Sequence, residues 1–399
     1  MSLIDKLDDQ NVWESFYSYK LSLACPKAFT ARLRGFIDEK RYLPVCRRIK
    51  AGERFPLSRR SVISKMGSEK KRVVYTYPED ENTVLKLLTW LTLRRYDGVF
   101  TPGLWSFRPG RTAKDAVRAL LRTDGIFGMF AYKADVRDYF NSIPVKLLIP
   151  KLETVLADDP VLCDFIVSLV AEPRVIDGGK IILETKGIMA GTPLSAFLAD
   201  LFLSDLDRYF SDRGVIYARY SDDIIVFAPD GELREKYAAS IAGFLRDNSL
   251  FINASKEERF DPGDGFTFLG FYCRDGQVDI APSTLKKLKA KMRRKRDALA
   301  RWAKREEADP RRAAGAFVRV FNRKLLESPS DHELSWSAWF FPVINTANSL
   351  HEIDLYAQDC LRYLLTGKHT KARYNASYSD LKSLGYRSLV REFYCSDVK

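Results

Sequence analysis

The sequence predicts an α+β protein in which antiparallel strands carry acidic residues and a basic helical region follows them. Three observations support this. Residues 215–220 and 224–227 are β-branched and aromatic, as strands prefer, and they flank Ser221-Asp222-Asp223, the composition of a tight turn. Residues 126–134 form an apolar strand that runs into Asp135. Beyond Pro282, Leu285, Leu288, Met292, Leu299 and Trp302 share one helical stripe while Lys and Arg crowd the other faces.

The bulk properties narrow the function class. A chain of 399 residues accommodates two or three packed subdomains. No apolar run reaches membrane-spanning length, and the first nine residues do not read as a signal peptide. Cys25, Cys46, Cys163, Cys273, Cys360 and Cys395 are scattered without C-x-x-C spacing, so reduced thiols and a cytoplasmic location are expected. The net charge of +13 is unevenly distributed: residues 281–324 hold 16 Lys/Arg against 4 Asp/Glu, and residues 47–72 hold 10 against 2. Two separate basic blocks suggest a polyanion running between them, and nucleic acid is the natural candidate. A basic amphipathic helix also suits an anionic membrane surface, but the second block favours nucleic acid.

In chain order, residues 1–46 mix aromatic and basic side chains and read as partly helical. Residues 47–66 suggest a loop-rich basic arm. Residues 71–77 read as a strand with Lys70, Lys71 and Arg72 at its entrance, and leucines at 85, 88 and 91 mark a helix over 83–96. Arg108 and Arg111 flank Pro109-Gly110 before a helix opened by Thr112 and Asp115, a place where phosphates or a templating strand can be held. Residues 147–170 read as mostly helical, and 175–183 as a hairpin around Asp177-Gly178-Gly179. Thr192 and Pro193 suit the start of a long apolar helix through Asp207. Gly187, Ala190 and Gly191 leave room for something flat to approach the backbone. A helix over 232–248, a polar connector over 251–256 and a strand over 266–272 complete the region before the basic helix.

The chemistry rests on carboxylates. A lone Asp-Asp dipeptide is usually a solvated turn. Here Asp135 ends a second strand that can lie beside the hairpin in one antiparallel sheet. Three converging carboxylates make a hard, oxygen-only site suited to Mg²⁺, with Mn²⁺ as an alternative. No histidine precedes His332, which argues against imidazole acid–base chemistry over most of the chain. Paired divalent ions at such a site support in-line displacement at phosphorus.

These residues carry a family resemblance. Tyr220-Ser221-Asp222-Asp223 resembles the tyrosine–x–Asp–Asp motif of reverse transcriptases, and the order of the other motifs is similar to the bacterial, group II intron-like branch. Residues 106–111 (Ser-Phe-Arg-Pro-Gly-Arg) resemble its fingers motif and 135–143 its first catalytic motif. Gly187, Gly191, Ser195 and residues 199–203 resemble its nucleotide-contacting motif. Asn253-Ala254-Ser255-Lys256 and Phe268-Leu269-Gly270-Phe271 resemble its fourth motif and primer grip. The resemblance implies a right-hand polymerase: an N-terminal extension and arm over 1–69, fingers and palm over 70–275, and a helical thumb over 281–399. It implies Asp135, Asp222 and Asp223 as catalytic metal ligands with the Val136 carbonyl beside them. Phe140 becomes an aromatic gate against a ribose 2′-hydroxyl, with Tyr139 next to it. Lys71, Arg72 and Gly191 would bind the incoming dNTP, and Lys256 would sit near the pyrophosphate as a general acid. Arg108, Arg111, Tyr220, Leu269, Gly270, Lys287, Lys291 and Arg294 would contact nucleic acid.

The departures from the family pattern also count. Met189-Ala190 stands where group II proteins have Pro-Gln, which removes a glutamine contact to the nucleotide, and Ser195-Ala196 stands where many have Ser-Pro. No Cys/His endonuclease module and no retron-type Val-Thr-Gly signature is present. The resemblance therefore points to the divergent bacterial reverse transcriptases of unassigned groups, several of them linked to phage defence. It implies an RNA template, a DNA primer or product and dNTPs as partners, leaving open a second copy or an accessory defence protein. Two alternatives stand beside this reading: a template-independent or protein-primed DNA polymerase, and a non-catalytic nucleic-acid-binding scaffold.

Overall fold

One antiparallel sheet brings together aspartates that lie more than eighty positions apart in the chain. The computed structural model describes all residues except 24, 26, 65–70, 186, 328–334, 369–374 and 397–399. The chain divides into two units, Met1–Leu23 with Ala28–Asp264, and Ala24–Lys27 with Gly265–Lys399. The expected palm boundary at 275 lies eleven residues past this division. Among the described residues no helix is long and apolar enough to cross a membrane.

The first unit begins with helices α1 (Gln10–Ser22), α2 (Lys27–Asp38) and α3 (Tyr42–Lys50). Trp13, fully buried, stacks on Tyr42 at 5.0 Å between centroids and meets Phe36 edge-on, which ties the three helices together. Next come strands β1 (Arg59–Ser64) and β2 (Lys71–Thr76), then α4 (Glu79–Arg95) and α5 (Ala113–Leu121). α4 carries Glu79, Asp80 and Glu81 in its first turn and Arg94 and Arg95 in its last, the polarity its dipole favours. A reciprocal Thr112/Asp115 capping box opens α5, as the sequence suggests. Strand β3 (Phe130–Asp135) leads to the short α6 (Tyr139–Ser142), then α7 (Val145–Val155) and α8 (Pro160–Val170), and the hairpin β4 (Arg174–Asp177)–β5 (Lys180–Leu183). Helices α9 (Ser195–Phe202) and α10 (Ser204–Ser211), the hairpin β6 (Tyr217–Tyr220)–β7 (Asp223–Ala228), α11 (Gly231–Asp247) and β8 (Glu258–Phe260) complete the unit.

These strands form two sheets, ordered β2-β1-β4-β5 and β6-β7-β3-β8. The second is antiparallel throughout. It buries Ala131, Tyr132 and Ala134 of β3 and Ile224 to Ala228 of β7 under α11 and the helices around α9.

The second unit starts with the meander β9 (Phe266–Phe268), β10 (Phe271–Arg274) and β11 (Gln277–Ile280). Helices α12 (Pro282–Arg305), α13 (Pro310–Leu325), α14 (Trp336–Phe340), α15 (Asn348–Thr366), α16 (Tyr378–Ser383) and α17 (Leu389–Cys395) follow, with α12, α13 and α15 mutually packed. Leu285, Met292 and Leu299 of the anticipated stripe are buried, while Leu288 and Trp302 are half-buried. Asp354 on α15 accepts from Tyr386 Oη (2.8 Å), Ser388 Oγ (2.6 Å) and the amides of Leu389 (2.9 Å) and Val390 (3.1 Å), which anchors the start of α17.

Four expectations need correction. The basic arm over 47–66 is not loop throughout: its first residues close α3, and β1 pairs with β2 along its whole length. The strand signal in Ser61-Val62-Ile63 is masked by the surrounding arginines. The apolar stretch through Asp207 is two helices, because Leu203 (φ −96°, ψ 10°) breaks the turn. Thr192 does not cap α9; its hydroxyl donates to the Met189 carbonyl (3.0 Å), and the helix starts at Ser195. The strand over 266–272 is two strands, since Leu269 (φ 50°) and Gly270 (φ 90°) are both left-handed and reverse the chain.

Gly187 fixes one loop of the first unit. Its φ is +74°, and a Cβ there would lie 2.3 Å from Asn141 Cα and 2.5 Å from the Phe140 carbonyl oxygen. The neighbouring Ile188 amide donates to that same carbonyl at 2.9 Å. Gly187→Ala is expected to lower unfolding free energy by about 1–3 kcal/mol from backbone conformation and contact together. Chemical denaturation checks this; an unchanged midpoint would show that the loop lies off α6.

Candidate active site

The site is built by register. In the hairpin, Tyr220 faces Asp223, and across the next strand pair Asp135 faces Asp223. Ser221 turns the chain with φ 60°, and the Val136 amide donates to the Asp222 carbonyl (3.0 Å), holding the turn against the end of β3. Oxygens from Asp135, Asp222 and Asp223 consequently all lie within 4.8 Å of one another.

The electrostatics of this cluster are unfavourable without a cation. Burial, then the charges of Asp223 and Asp135, push Asp222 up to about 6. Burial and Asp135 likewise raise Asp223. Asp135, 2 % exposed, accepts from Asn253 Nδ2 at 3.0 Å and forms an ion pair with the Lys256 ammonium. The Asn253 amide also donates to the Asp135 carbonyl (2.7 Å), so the 253–256 segment is fastened to the strand end through backbone and side chain. Burial works to lower the Lys256 pKa, and its bond to Asp135 with the three carboxylate charges raises it overall. Crowded, oxygen-only donors of this kind fit a hard divalent ion such as Mg²⁺ or Mn²⁺.

Beneath the turn lies a buried ionic network that sequence reading missed. Arg219, fully buried, donates through Nε to Asp207 Oδ1 (2.7 Å) and through Nη2 to Asp207 Oδ2. Its Nη2 also reaches the Asp200 carbonyl (3.0 Å), its Nη1 the Ser221 carbonyl (3.2 Å), and Asp200 Oδ1 stands 3.7 Å from Nη1. Tyr217 Oη donates to Asp207 Oδ1 (2.9 Å). Ser106 Oγ donates to Asp200 (2.7 Å) and accepts from the Ser221 amide (2.9 Å). Asp200 has one oxygen without a partner among the described residues, and burial pushes its pKa up to about 7. The helix break at Leu203 lets one carboxylate from α9 and one from α10 face the same guanidinium. An arginine inside an apolar strand, with two aspartates in an apolar helical stretch, was the available signal.

The other expected site residues divide by what the structure does with them. Phe140 is half-buried, its ring 6.4 Å from Phe107, which in turn lies 6.5 Å from Tyr220. Phe107 thus joins this aromatic group without having been singled out from sequence. Tyr139 points inward: it is buried and its hydroxyl donates to the Ala199 carbonyl, so its side chain packs the interior, against the expectation that it lines the substrate site. Arg108 is a further correction. It is 7 % exposed, clamps Asp97 through two nitrogens at 2.7 and 2.9 Å, and donates to the Thr101 carbonyl (2.7 Å), leaving its fork filled from within the protein. Arg111 donates to the Pro102 carbonyl (2.8 Å) and lies over Trp105, serving the same loop.

Gly191 (φ +99°) accommodates β2: a Cβ there would meet the Tyr75 carbonyl oxygen at 3.2 Å, and the Tyr75 amide donates to Ala190 (2.8 Å). The close approach seen at this glycine is made by β2. Arg72 is exposed on β2; Lys71 begins the strand, but its side chain lies outside the described residues, as do Lys70 and Lys186. Tyr220 is half-buried beside the turn and Val136 is buried, bridged to Ile252. Leu269 and Gly270 form the β9–β10 turn of the second unit, and Lys287, Lys291 and Arg294 are exposed along α12.

Within the motifs of the first unit four non-glycine residues hold left-handed backbone: Phe107 (φ 54°), Asp138 (φ 45°), Met189 (φ 55°) and Ser221 (φ 60°). Each costs about 1–3 kcal/mol, and such strain concentrates at functional sites.

An acidic triad on an antiparallel sheet, at the tip of an Asp-Asp hairpin, defines the palm of a right-hand polymerase. The signature described as reverse transcriptase (RNA-dependent DNA polymerase) matches residues 63–273, more than half of the chain, and the chain belongs to that family. Its members are nucleotidyltransferases. Among solved structures, the fold is similar to apo telomerase from Candida tropicalis truncated from its C-terminal domain, at 13% identity over 56% of this chain and 55% of that one (TM-score 0.46). It is also similar to telomerase from Candida albicans in complex with a TWJ fragment of telomeric RNA, at 12% identity over 86% and 67% (TM-score 0.46). The chain therefore spans about half the length of the first of these structures. No curated protein matches the sequence.

Arg219→Met would leave Asp207 and Asp200 buried without their cation and is expected to cost about 3–5 kcal/mol in unfolding free energy. Arg219→Met combined with Asp207→Leu should recover part of that loss. Urea titration of both variants is the check, and a near-neutral single substitution would mean the network does not support the hairpin.

Proposed function

We propose that this protein is an RNA-directed DNA polymerase that extends a primer with dNTPs. The convergence of Asp135, Asp222 and Asp223 within 4.8 Å, inside a reverse transcriptase domain, carries the reading. Asp135 and Asp222 would hold two Mg²⁺ ions, or Mn²⁺, together with Asp223 and the Val136 carbonyl. When bound, the ions supply activation of the primer hydroxyl and neutralisation of charge on the phosphates. The residues around them provide positioning. Lys256 retains its proton because Asp135 and its neighbours stabilise the ammonium, and it can protonate the departing pyrophosphate. Phe140, braced by Phe107, would exclude a ribose 2′-hydroxyl, so deoxynucleotides are the substrates. Lys71 and Arg72 would grip the triphosphate beside Gly191. Tyr220 and, from the second unit, Leu269, Gly270, Lys287, Lys291 and Arg294 would contact the nucleic acid; their exposure along α12 suits phosphate contacts.

The order of motifs supports a place in the bacterial, group II intron-like branch, with a dedicated RNA template and a role in phage defence as the biological extension. Met189 supports a second reading. Where the family's Pro-Gln would stand, it accepts the Ser58 hydroxyl on sulfur (3.3 Å) and packs with Tyr75 and Val175. Beside it Ala190, which stands at the glutamine's own position, is buried and offers the nucleotide no side-chain amide, consistent with template-independent or protein-primed synthesis.

Primer extension on RNA with Mg²⁺ and dNTPs tests the first reading. Asp135→Asn and Asp222→Asn should each reduce incorporation at least about 10³-fold, as loss of charge stabilisation at a reacting phosphate does, with unchanged circular dichroism. Full activity in either variant would overturn the assignment. Phe140→Ala should narrow the dNTP-over-rNTP preference by about tenfold or more, measured as a ratio of kcat/KM values. Unchanged selectivity would remove the gate role.

A further inference from the structure

The sheet β2-β1-β4-β5 ends in an open edge that is complementary to itself. β5 pairs with β4 on one side only. In that hairpin Asp177 and Lys180 flank a two-residue turn, and the Glu184 amide donates to the Pro173 carbonyl (2.6 Å). Antiparallel pairing alternates, so Lys180, Ile182 and Glu184 turn their backbone groups toward β4, while Ile181 and Leu183 turn theirs outward. Among the described residues, no backbone group bonds to the Ile181 or Leu183 amide or carbonyl. Their side chains are also open, 63 % and 71 % exposed. Edge strands are usually blunted by proline, a bulge or a charge within the strand; here the outward-facing positions are both large and apolar.

We propose that β5 is a homodimer interface, in which the edges of two copies pair antiparallel about a two-fold axis at Ile182. Three properties of the segment Lys180-Ile181-Ile182-Leu183-Glu184 select this partner and register. Centring on Ile182 sets Ile181 opposite the second copy's Leu183, and Leu183 opposite its Ile181. Both pairs are residues with free outward amides and carbonyls, so four backbone hydrogen bonds form. The same register sets Lys180 opposite Glu184 twice, giving charge complementarity across both ends, with each Glu184 held in its own copy by the Tyr75 hydroxyl (2.8 Å) and lying 3.8 Å from Arg60 Nε. A shift of the axis to Ile181 or Leu183 keeps the backbone bonding parity but sets a charged side chain against Ile182. The joined sheet becomes eight strands, with an isologous interface as expected of a two-fold dimer. It contains one strand per partner, well below the area of a standard stable interface, so the dimer should be weak and concentration-dependent.

Sedimentation velocity on the nuclease-treated full chain, from about 1 to 100 μM where small interfaces associate, tests this. The weight-average mass should rise from 45.7 kDa toward twice that value. Leu183→Pro removes an outward amide while leaving the β4–β5 hydrogen bonds in place, and should remain monomeric with an unchanged melting curve. Lys180→Glu and Glu184→Lys should each weaken self-association by roughly tenfold, as two cross-strand pairs change from attractive to repulsive; because Glu184 also accepts from Tyr75 Oη, the melting curve of Glu184→Lys is recorded beside its sedimentation. An equimolar mixture of those two variants restores both opposite-charge pairs and should associate like the wild type. A wild type that stays monomeric throughout, a Leu183→Pro variant that still dimerises, or a mixture no stronger than its components would overturn the proposal. So would a dimer that forms only when nucleic acid is added back.

Discussion

The charge that organises the catalytic unit is the buried guanidinium of Arg219. It lies in the strand immediately before the acidic turn, and its fork is filled by Asp207, the Asp200 carbonyl and the Ser221 carbonyl. A buried ion pair contributes little net stability, since desolvation offsets most of the attraction, but it penalises every arrangement that leaves a member unpaired. That penalty acts on position. α9 and α10 must break at Leu203, the hairpin must enter beside them, and Ser106 must reach the Ser221 amide from over a hundred residues away. The geometry of the turn follows from these demands.

Above this support the cost is of a different kind. Three carboxylates share a small volume, and two of them are pushed toward neutrality by burial and by one another. Four left-handed non-glycine residues add backbone strain in the surrounding motifs. None of this favours folding by itself. Asn253 and Lys256 relieve Asp135 from one side, and the remaining negative charge matches a divalent cation. Local rules are broken here while the sheet, the helices and the core obey them, which is the pattern of a site held by its scaffold.

The basic residues show the opposite ambiguity. Arg108 and Arg111 read naturally as nucleic-acid contacts because they flank a Pro-Gly turn, yet carbonyls and Asp97 occupy them. Arginine in a loop has five donors, and loop carbonyls lie outside the helix and sheet ladders that would otherwise satisfy them. Spacing does not distinguish an arginine that satisfies its own loop from one that waits for a phosphate. Exposure does, and by that criterion Arg72, Lys287, Lys291 and Arg294 remain available.

The sequence by itself determined the α+β class, the acidic hairpin, the Asp135 strand, the basic amphipathic helix and the family, because each depends on local periodicity or on ordered short motifs. Turn chemistry placed Asp222 and Asp223 at a tip, and an aspartate ending an apolar strand called for a partner. Tertiary structure decided which strand lay beside which, and therefore that Asp135 faces Asp223. It also decided that Tyr139 turns inward, that Gly191 makes room for β2, and that Arg219 with Asp200 and Asp207 forms one network. These outcomes depend on contacts between residues far apart in the chain, where a side chain's role is set by the partner that reaches it. The acidic hairpin was legible from its own residues; the buried charge that holds it in place was not.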